Sequence, residues 1–356
     1  MFDVVVGFDI GGTKTSLIVE DVSGTFLHRA EEPTDVVTEA AALGEACLIY
    51  RGLARQLTRM LRAALSSLPE RRVAAIGVVS AGPIRGGGLW NPPNIVPAGL
   101  GDLNRTLPLR VPLVQPLAET FGCRVRLLND CSGAVLGEVY DGIGQETDDK
   151  TALHLVYATM STGFGVGAWD GGRLVLGKDG NAGELGHLMV HADGALCGCG
   201  NRGCVEAYAS GTGIVANARR RIHELTAADR AESPLAQAFS HADGTSSNAQ
   251  AVSPAQVFDA AASGDPVARA VIDDAVFAAG IALAAAANAY DPEAISVGGG
   301  IALAHPELIP PIQDEMLGHL NVRPPAVCVT PLGPAVTERG SVAVARSVLQ
   351  GRFTTP

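Results

Sequence analysis

Glu184, His187, Cys197, Cys199, Cys204 and Glu206 fall within the 23 residues ELGHLMVHADGALCGCGNRGCVE. One imidazole and three thiols make a closed tetrahedral donor set of the kind that holds structural zinc. Four protein ligands leave no open position for water or substrate, which sets a catalytic zinc aside. Glu184 and Glu206 flank the set without being needed as ligands. They are free to accept hydrogen bonds, for instance from the hydroxyls of a sugar. A disulfide framework belongs to small secreted chains, and three clustered cysteines would leave one unpaired. Buried packing accounts poorly for cysteines in a loop as glycine-rich as CGCGNRGC.

Two glycine turns invite phosphate. Asp9-Ile10-Gly11-Gly12-Thr13-Lys14 joins two apolar runs, and adjacent glycines let backbone N–H groups approach phosphate oxygens. Asp9, at a strand end, is placed to hold Mg²⁺ through water, and Thr13 and Lys14 to contact a terminal phosphate. An ordinary glycine hairpin is the plain alternative, and the chain has no GxxxxGK[ST] loop. Ser161-Thr162-Gly163-Phe164-Gly165 repeats the arrangement in the middle of the chain, so that two turns could clamp one polyphosphate. Gly298-Gly299-Gly300, after the apolar run AISV, offers a close approach for a flat adenosine, or simply a turn.

Asn129-Asp130 follows the short apolar run VRLL and precedes a helical pattern. Asp130 there can cap the helix, and it can also accept the proton of an attacking hydroxyl, which phosphoryl transfer requires. Asn94, in the proline-rich WNPPNIVP, offers a free amide or a turn. Gly82, in SAGP, offers a close backbone approach or plain punctuation.

The elements that must position these residues read as a duplication. VVVGFDIGGTKTSLIVED followed by DVSGTF gives strand, glycine turn, strand, tight turn and strand; ALHLVYATMSTGFGVGAWDGGRLVL gives the same scheme again. Alternating helices and strands follow each trio. In the first half these are a helix over 40–67, a strand over 73–79, a helix over 113–121, a strand over 125–128 and a helix over 131–140. In the second they are a broken helix over 256–288, a strand over 294–297, a helix over 306–320, a strand over 326–329 and a helix over 336–349. Two copies of βββαβαβα predict two α/β domains facing one cleft, where small-molecule sites preferentially lie. The polar linker DGIGQETDDK, residues 141–150, predicts domains over 1–145 and 146–356, with the last helix free to pack back on the first. The second domain carries the Cys/His segment 184–206 and a helical insertion over 223–253, with a mobile loop at ADGTSSNAQ.

Bulk properties narrow the class. The 356 residues suffice for two cores, and 47% are hydrophobic. A net charge of −11 argues against a nucleic-acid partner, and no targeting segment is visible. Only three lysines occur, which sets Lys14 apart. The alanine-rich stretch 275–290 is too short for a membrane span and is bordered by Asp273, Asp274 and Asp291, so it reads as an interior helix. Cys47, Cys123, Cys131 and Cys328 are expected to be reduced, as in the cytoplasm.

DIGGTK, PPN, LLNDCSGAVLGE, STGFGVG, ELGH, CGCGNRGCVEAYASG and VGGGI together resemble the ROK family of sugar kinases and repressors, nearly end to end. The resemblance implies a two-domain actin-like, ribonuclease H-like ATPase fold and ATP- and Mg²⁺-dependent phosphorylation of a hexose at its 6-hydroxyl. It implies Asp130 as base and Asn129, Glu184, His187 and Glu206 as sugar ligands, helped by Asn94 and Gly82. It further implies structural Zn²⁺ on His187, Cys197, Cys199 and Cys204, with His187 also facing a hydroxyl, and a homodimer or homotetramer. Glucose is the family default; N-acetylglucosamine, N-acetylmannosamine, mannose and fructose kinases share the framework. NDCSGA stands where the family commonly has NDANAA, which alters helix packing and leaves the Asn-Asp pair. Family repressors carry an N-terminal helix-turn-helix; here a strand begins by Val4, so a regulator is not expected, nor is an inactive sugar-binding protein.

Overall fold

The computed structural model describes residues 2–36, 47–92, 95, 108–242 and 252–351. In chain order the first strands are β1 (Phe2–Ile10), β2 (Lys14–Asp21), β3 (Phe26–Pro33), β4 (Leu48–Ile49), β5 (Arg71–Ser80), β6 (Ile84–Arg85), β7 (Gly88–Trp90), β8 (Leu109–Pro112) and β9 (Arg124–Asn129). After them come β10 (His154–Met160), β11 (Phe164–Asp170), β12 (Arg173–Leu174), β13 (Ala294–Gly298) and β14 (Ala326–Val329). The helices begin with α1 (Gly52–Ser66), α2 (Val114–Phe121), α3 (Asp130–Tyr140), α4 (Glu206–Ala209), α5 (Gly211–Glu224), α6 (Ala227–Glu232) and α7 (Pro234–Ala242). They continue with α8 (Pro254–Ala262), α9 (Pro266–Tyr290), α10 (Gly300–Ala304), α11 (Ile309–Leu317) and α12 (Val336–Leu349).

The chain forms two compact units. One comprises Met1–Leu153, Gly167–Gly183 and Ala335–Pro356, the other His154–Val166 and Glu184–Pro334. The duplication is visible in the sheets, which run β3-β2-β1-β5-β9 and β12-β11-β10-β13-β14. In the first, β1–β2 and β2–β3 are antiparallel while β1–β5 and β5–β9 are parallel. In the second, β11–β12 is antiparallel, and β10–β13 and β13–β14 are parallel.

β1 is apolar almost throughout because both of its faces are covered. Val4, Val6, Phe8 and Ile10 join one core with Leu53, Leu57 and Leu61 of α1. Val5 joins a second core with Val342, Ala345 and Val348 of α12. The last helix is therefore part of the first unit, packed on β1, β5 and α3. It is anchored by Glu20, which is wholly buried and receives Arg339 and Arg346. Arg339 Nε also donates to Asp141 Oδ2 at 3.0 Å, just past the end of α3. Removing one partner of such a buried ionic cluster strands the others and is strongly destabilising.

Several elements differ from the sequence reading. The helix expected over 40–67 begins at Gly52, and Leu48–Ile49 is a strand; residues 37–46 lie outside the described residues. A small sheet, β4-β8-β7-β6, was not anticipated. The broken helix over 256–288 is α8 and α9, interrupted at Gly264, with Asp265 capping α9 by accepting from Val267 N and Ala268 N. The helix over 306–320 opens with a 3₁₀ turn at Pro306–Leu308 and ends at Leu317. The insertion is helical through α6 and α7; of its expected loop, residues 242–250, all but the first lie outside the described residues. α9 is the one described helix long and apolar enough to cross a membrane, but it is an interior element. Val271, Ala275, Ala279, Leu283 and Ala287 are buried, and α11, α8, α4 and α5 pack against it.

Candidate active site

On the first unit, the strand ends bring the expected residues together. Register places Ile10 beside Ser80 and Ser80 beside Asn129, at the C-terminal ends of β1, β5 and β9. Strand C-termini are where ligands of open α/β sheets collect. The turn after β1 is closed by Gly11 N donating to Lys14 O at 2.9 Å. Thr34 braces it, its N–H donating to Thr13 O at 3.1 Å and its hydroxyl to Gly11 O at 2.7 Å. Gly12, Thr13 and Lys14 stay exposed. The Lys14 ammonium donates to Glu31 Oε2 of the neighbouring strand at 2.9 Å, an exposed pair of the weakly held kind.

Asp9 accepts a hydrogen bond from the Thr337 hydroxyl at the start of α12. Burial pushes its pKa up to about 6 against that hydrogen bond, and the Asp130 charge adds to the rise. Thr337 was not found from the sequence. The polar run Thr337-Glu338-Arg339 opening a helix whose later residues are mainly small and apolar, VTERGSVAVARSVL, is the signal that could have found it.

Asn129, not Asp130, is the helix cap. Asn129 has extended backbone (φ −60°, ψ 147°) and its side chain accepts from Cys131 N at 2.9 Å. Asp130 is the first helical residue, and its Oδ1 lies 2.9 Å from the same N–H. Burial pushes the Asp130 pKa upward, opposed by the Cys131 hydrogen bonds. A carboxylate so placed is free of sole capping duty and tuned toward proton acceptance.

Gly82 lines a small hollow with Gly11, Gly12 and Ser80. The backbone next to Gly82 is held by a residue that sequence reasoning passed over. Asn181 accepts from Ile84 N at 2.7 Å and donates to Ile84 O at 2.8 Å. One amide thus satisfies both backbone groups of Ile84, as a neighbouring strand would. Asn94 lies outside the described residues.

On the second unit, His187, Cys197, Cys199 and Cys204 present ligand atoms within 4.8 Å of one another. Cys199 Sγ and Cys204 Sγ are 3.8 Å apart, and Cys197 Sγ is 3.8 Å from His187 Nδ1. Tetrahedral bonds of about 2.3 Å would set two sulfurs about 3.8 Å apart, so the donors fit zinc. The loop needs a glycine at 203: φ is +72°, and a Cβ would stand 1.6 Å from the His191 carbonyl oxygen. His187 turns its other nitrogen, Nε2, to Glu184 Oε2 at 3.9 Å. Glu206 opens α4, with Oε1 3.9 Å from Cys197 Sγ and Oε2 accepting from Phe164 N at 3.0 Å.

The second glycine turn is thereby tied to the Cys/His segment. Gly211 N also donates to Ser161 O at 2.7 Å, and the Thr212 hydroxyl to Thr162 O at 3.0 Å. Gly298 ends β13 beside Thr159 of β10, and a Cβ on Gly300 would lie 3.8 Å from Ser161 Oγ. Ser161, Thr162, Gly163 and Gly165 are thus gathered with Gly298, Gly299 and Gly300 at one end of the second sheet.

This arrangement has relatives. A glucokinase of Thermotoga maritima is 30% identical over 321 residues, 89% of this chain and 88% of that protein. An N-acetylmannosamine kinase of Yersinia pestis is 32% identical over 301 residues, 84% of this chain and 83% of its own length. Among solved structures, a ROK family glucokinase from Streptomyces griseus in complex with glucose and AMPPNP superposes with a TM-score of 0.67. It is 29% identical and covers 97% of this chain and 99% of its own. The ROK family model matches residues 5–349, and with that match running through both units the chain belongs to the ROK family.

Proposed function

We infer that this chain is an ATP-dependent hexose kinase that moves the γ-phosphoryl group of ATP to the 6-hydroxyl of a sugar, glucose being the leading acceptor. The observation that carries the reading is Asp130, a half-buried carboxylate whose pKa is raised by desolvation and which is relieved of sole capping by Asn129. Asp130 takes the proton of the 6-hydroxyl as that oxygen bonds to phosphorus and the bond from the γ-phosphorus to the ADP oxygen breaks. Asn129, Gly82, Asn94, Glu184, His187 and Glu206 hold the sugar. Gly12, Thr13 and Lys14 handle phosphate from the first unit, in a turn that Gly11 closes through its bond to the Lys14 carbonyl and where it leaves room for the ligand. Ser161, Thr162, Gly163, Gly165 and Gly298–Gly300 handle the nucleotide from the second. Asp9, steadied by Thr337, holds Mg²⁺ through water, and the cation supplies charge neutralisation on the phosphates when bound.

His187, Cys197, Cys199 and Cys204 hold a structural zinc. The donor spacing supports this, and zinc would fix the His187 ring so that Nε2 and Glu184 stay aligned. N-acetylmannosamine is the second acceptor reading, favoured by the relative of that name. The glucokinase relative and the glucose-bound structure put glucose first.

The test is ADP release by the purified chain with Mg-ATP across glucose, mannose, fructose, N-acetylglucosamine and N-acetylmannosamine. Turnover highest on glucose and lost in Asp130→Asn is the expected result. A higher kcat/KM on N-acetylmannosamine overturns the acceptor, and no turnover on any sugar overturns the kinase.

A further inference from the structure

Ser80 is the middle residue of the row Ile10, Ser80, Asn129 at the ends of three parallel strands. It is 1% exposed, and among the described residues its hydroxyl has no hydrogen-bond partner. Buried hydroxyls are normally paired, and one left unpaired lowers stability. This one lines the hollow that also touches Gly11, Gly12 and Gly82, closed by Ile10, Ala81 and Ile95. The space admits roughly one water-sized group.

Two features say what kind of oxygen belongs there. No charged side chain lines the hollow among the described residues, and the Gly11 amide is already given to the Lys14 carbonyl. A phosphoryl oxygen would enter with its charge poorly met, whereas a neutral hydroxyl needs one partner and tolerates apolar walls. We propose that Ser80 forms a subsite for one hydroxyl of the acceptor sugar other than the one phosphorylated, and so helps set acceptor specificity. The proposal rests on the hexose-kinase reading. A site built to bond a hydroxyl rejects the analogue that lacks it, while its other discriminations are unaffected.

The experiment measures kcat/KM for glucose, 2-deoxyglucose, 3-deoxyglucose, 4-deoxyglucose and 1,5-anhydroglucitol in wild type, Ser80→Ala and the size-preserving Ser80→Cys. The expected result is that wild type disfavours one of the analogues by roughly tenfold or more, as loss of a buried hydrogen bond predicts. Both variants should lose about as much on glucose, and their penalty for that one analogue should fall below about threefold with the others unchanged. Without sugar, melting of Ser80→Ala should not fall, because no bond is lost; with glucose its rise in Tm should shrink. Analogue penalties equal in wild type and both variants overturn the subsite, as does a fall in sugar-free Tm with those penalties intact. Absence of turnover by wild type on any sugar is a distinct outcome, which removes the kinase reading and the subsite with it.

Discussion

The Phe164 amide donates to Glu206 Oε2 at 3.0 Å, across 42 residues of chain. Through that bond the second glycine turn and the carboxylate that follows Cys204 share an atom. Gly163 leaves the space for it, since a Cβ there would stand 2.7 Å from the same oxygen. The turn proposed to handle phosphate and the carboxylate proposed to hold the sugar on the second unit are therefore mechanically joined at Glu206.

Gly163→Ala tests that joint. The new methyl displaces the Glu206 carboxylate, and KM for glucose should rise about tenfold, roughly the value of one charge-assisted hydrogen bond. Initial rates with both substrates varied would show it. An unchanged sugar KM would detach Glu206 from the acceptor.

Asp130→Asn should lower kcat by about 10²–10⁴-fold while glucose binding, followed by calorimetry, persists. Burial raises the Asp130 pKa, so the folded state pays for charging it. Its stabilising effect is complete below the unfolded pKa near 3.9 and is lost as pH rises through the folded value. At pH 7 the Asn variant should therefore melt no lower than wild type, with any advantage vanishing below about pH 4. The same shift puts the acid limb of the kcat/KM profile above the ordinary aspartate range. A limb at or below pH 4, or a variant markedly less stable at pH 7, would contradict the burial argument.

How far these residues could be found beforehand depended on range along the chain. The two strand trios were legible because apolar runs broken by glycine turns carry their signal within a few residues. The Cys/His cluster was legible because its four donors sit within one loop. The sheet β4-β8-β7-β6 was not, since strands of two to four residues show no periodicity. At Asn129-Asp130 two adjacent residues could both cap, and only the backbone angles decide between them. Thr337, Asn181 and Ser80 owe their roles to partners or neighbours far along the chain, Asp9 and Thr337 being 328 residues apart. Spacing does not encode such pairs.

Cys204→Ser removes a buried sulfur from the donor set. Elemental analysis of wild type should give about one zinc per chain, as a closed four-donor site predicts, and the variant close to none. Glucose KM should rise about 10–100-fold as the His187 ring loses its orientation. Metal-free wild type that binds no zinc on titration would remove the assignment.

Asn181→Ala leaves both backbone groups of Ile84 without their amide partner, and Asn181→Asp keeps the acceptor while replacing the donor with a repelling oxygen. Both should raise sugar KM by roughly three- to tenfold with kcat little changed, in line with one or two neutral hydrogen bonds. Asn181→Gln should not rescue, because the longer arm misplaces the pair. A fall in kcat alone would speak against a positioning role.

The placement of α12 has a consequence for how the protein is made. The helix that covers β1 and β5 and supplies Thr337 to Asp9 is encoded after every residue of the second unit. During synthesis the first five-stranded sheet leaves the ribosome with one face bare and Glu20 without its arginines. The second unit is already complete by then, since its residues end at Pro334. The first sheet therefore finishes folding only after α12 arrives, and a premature stop just before α12 damages that sheet more than the second unit.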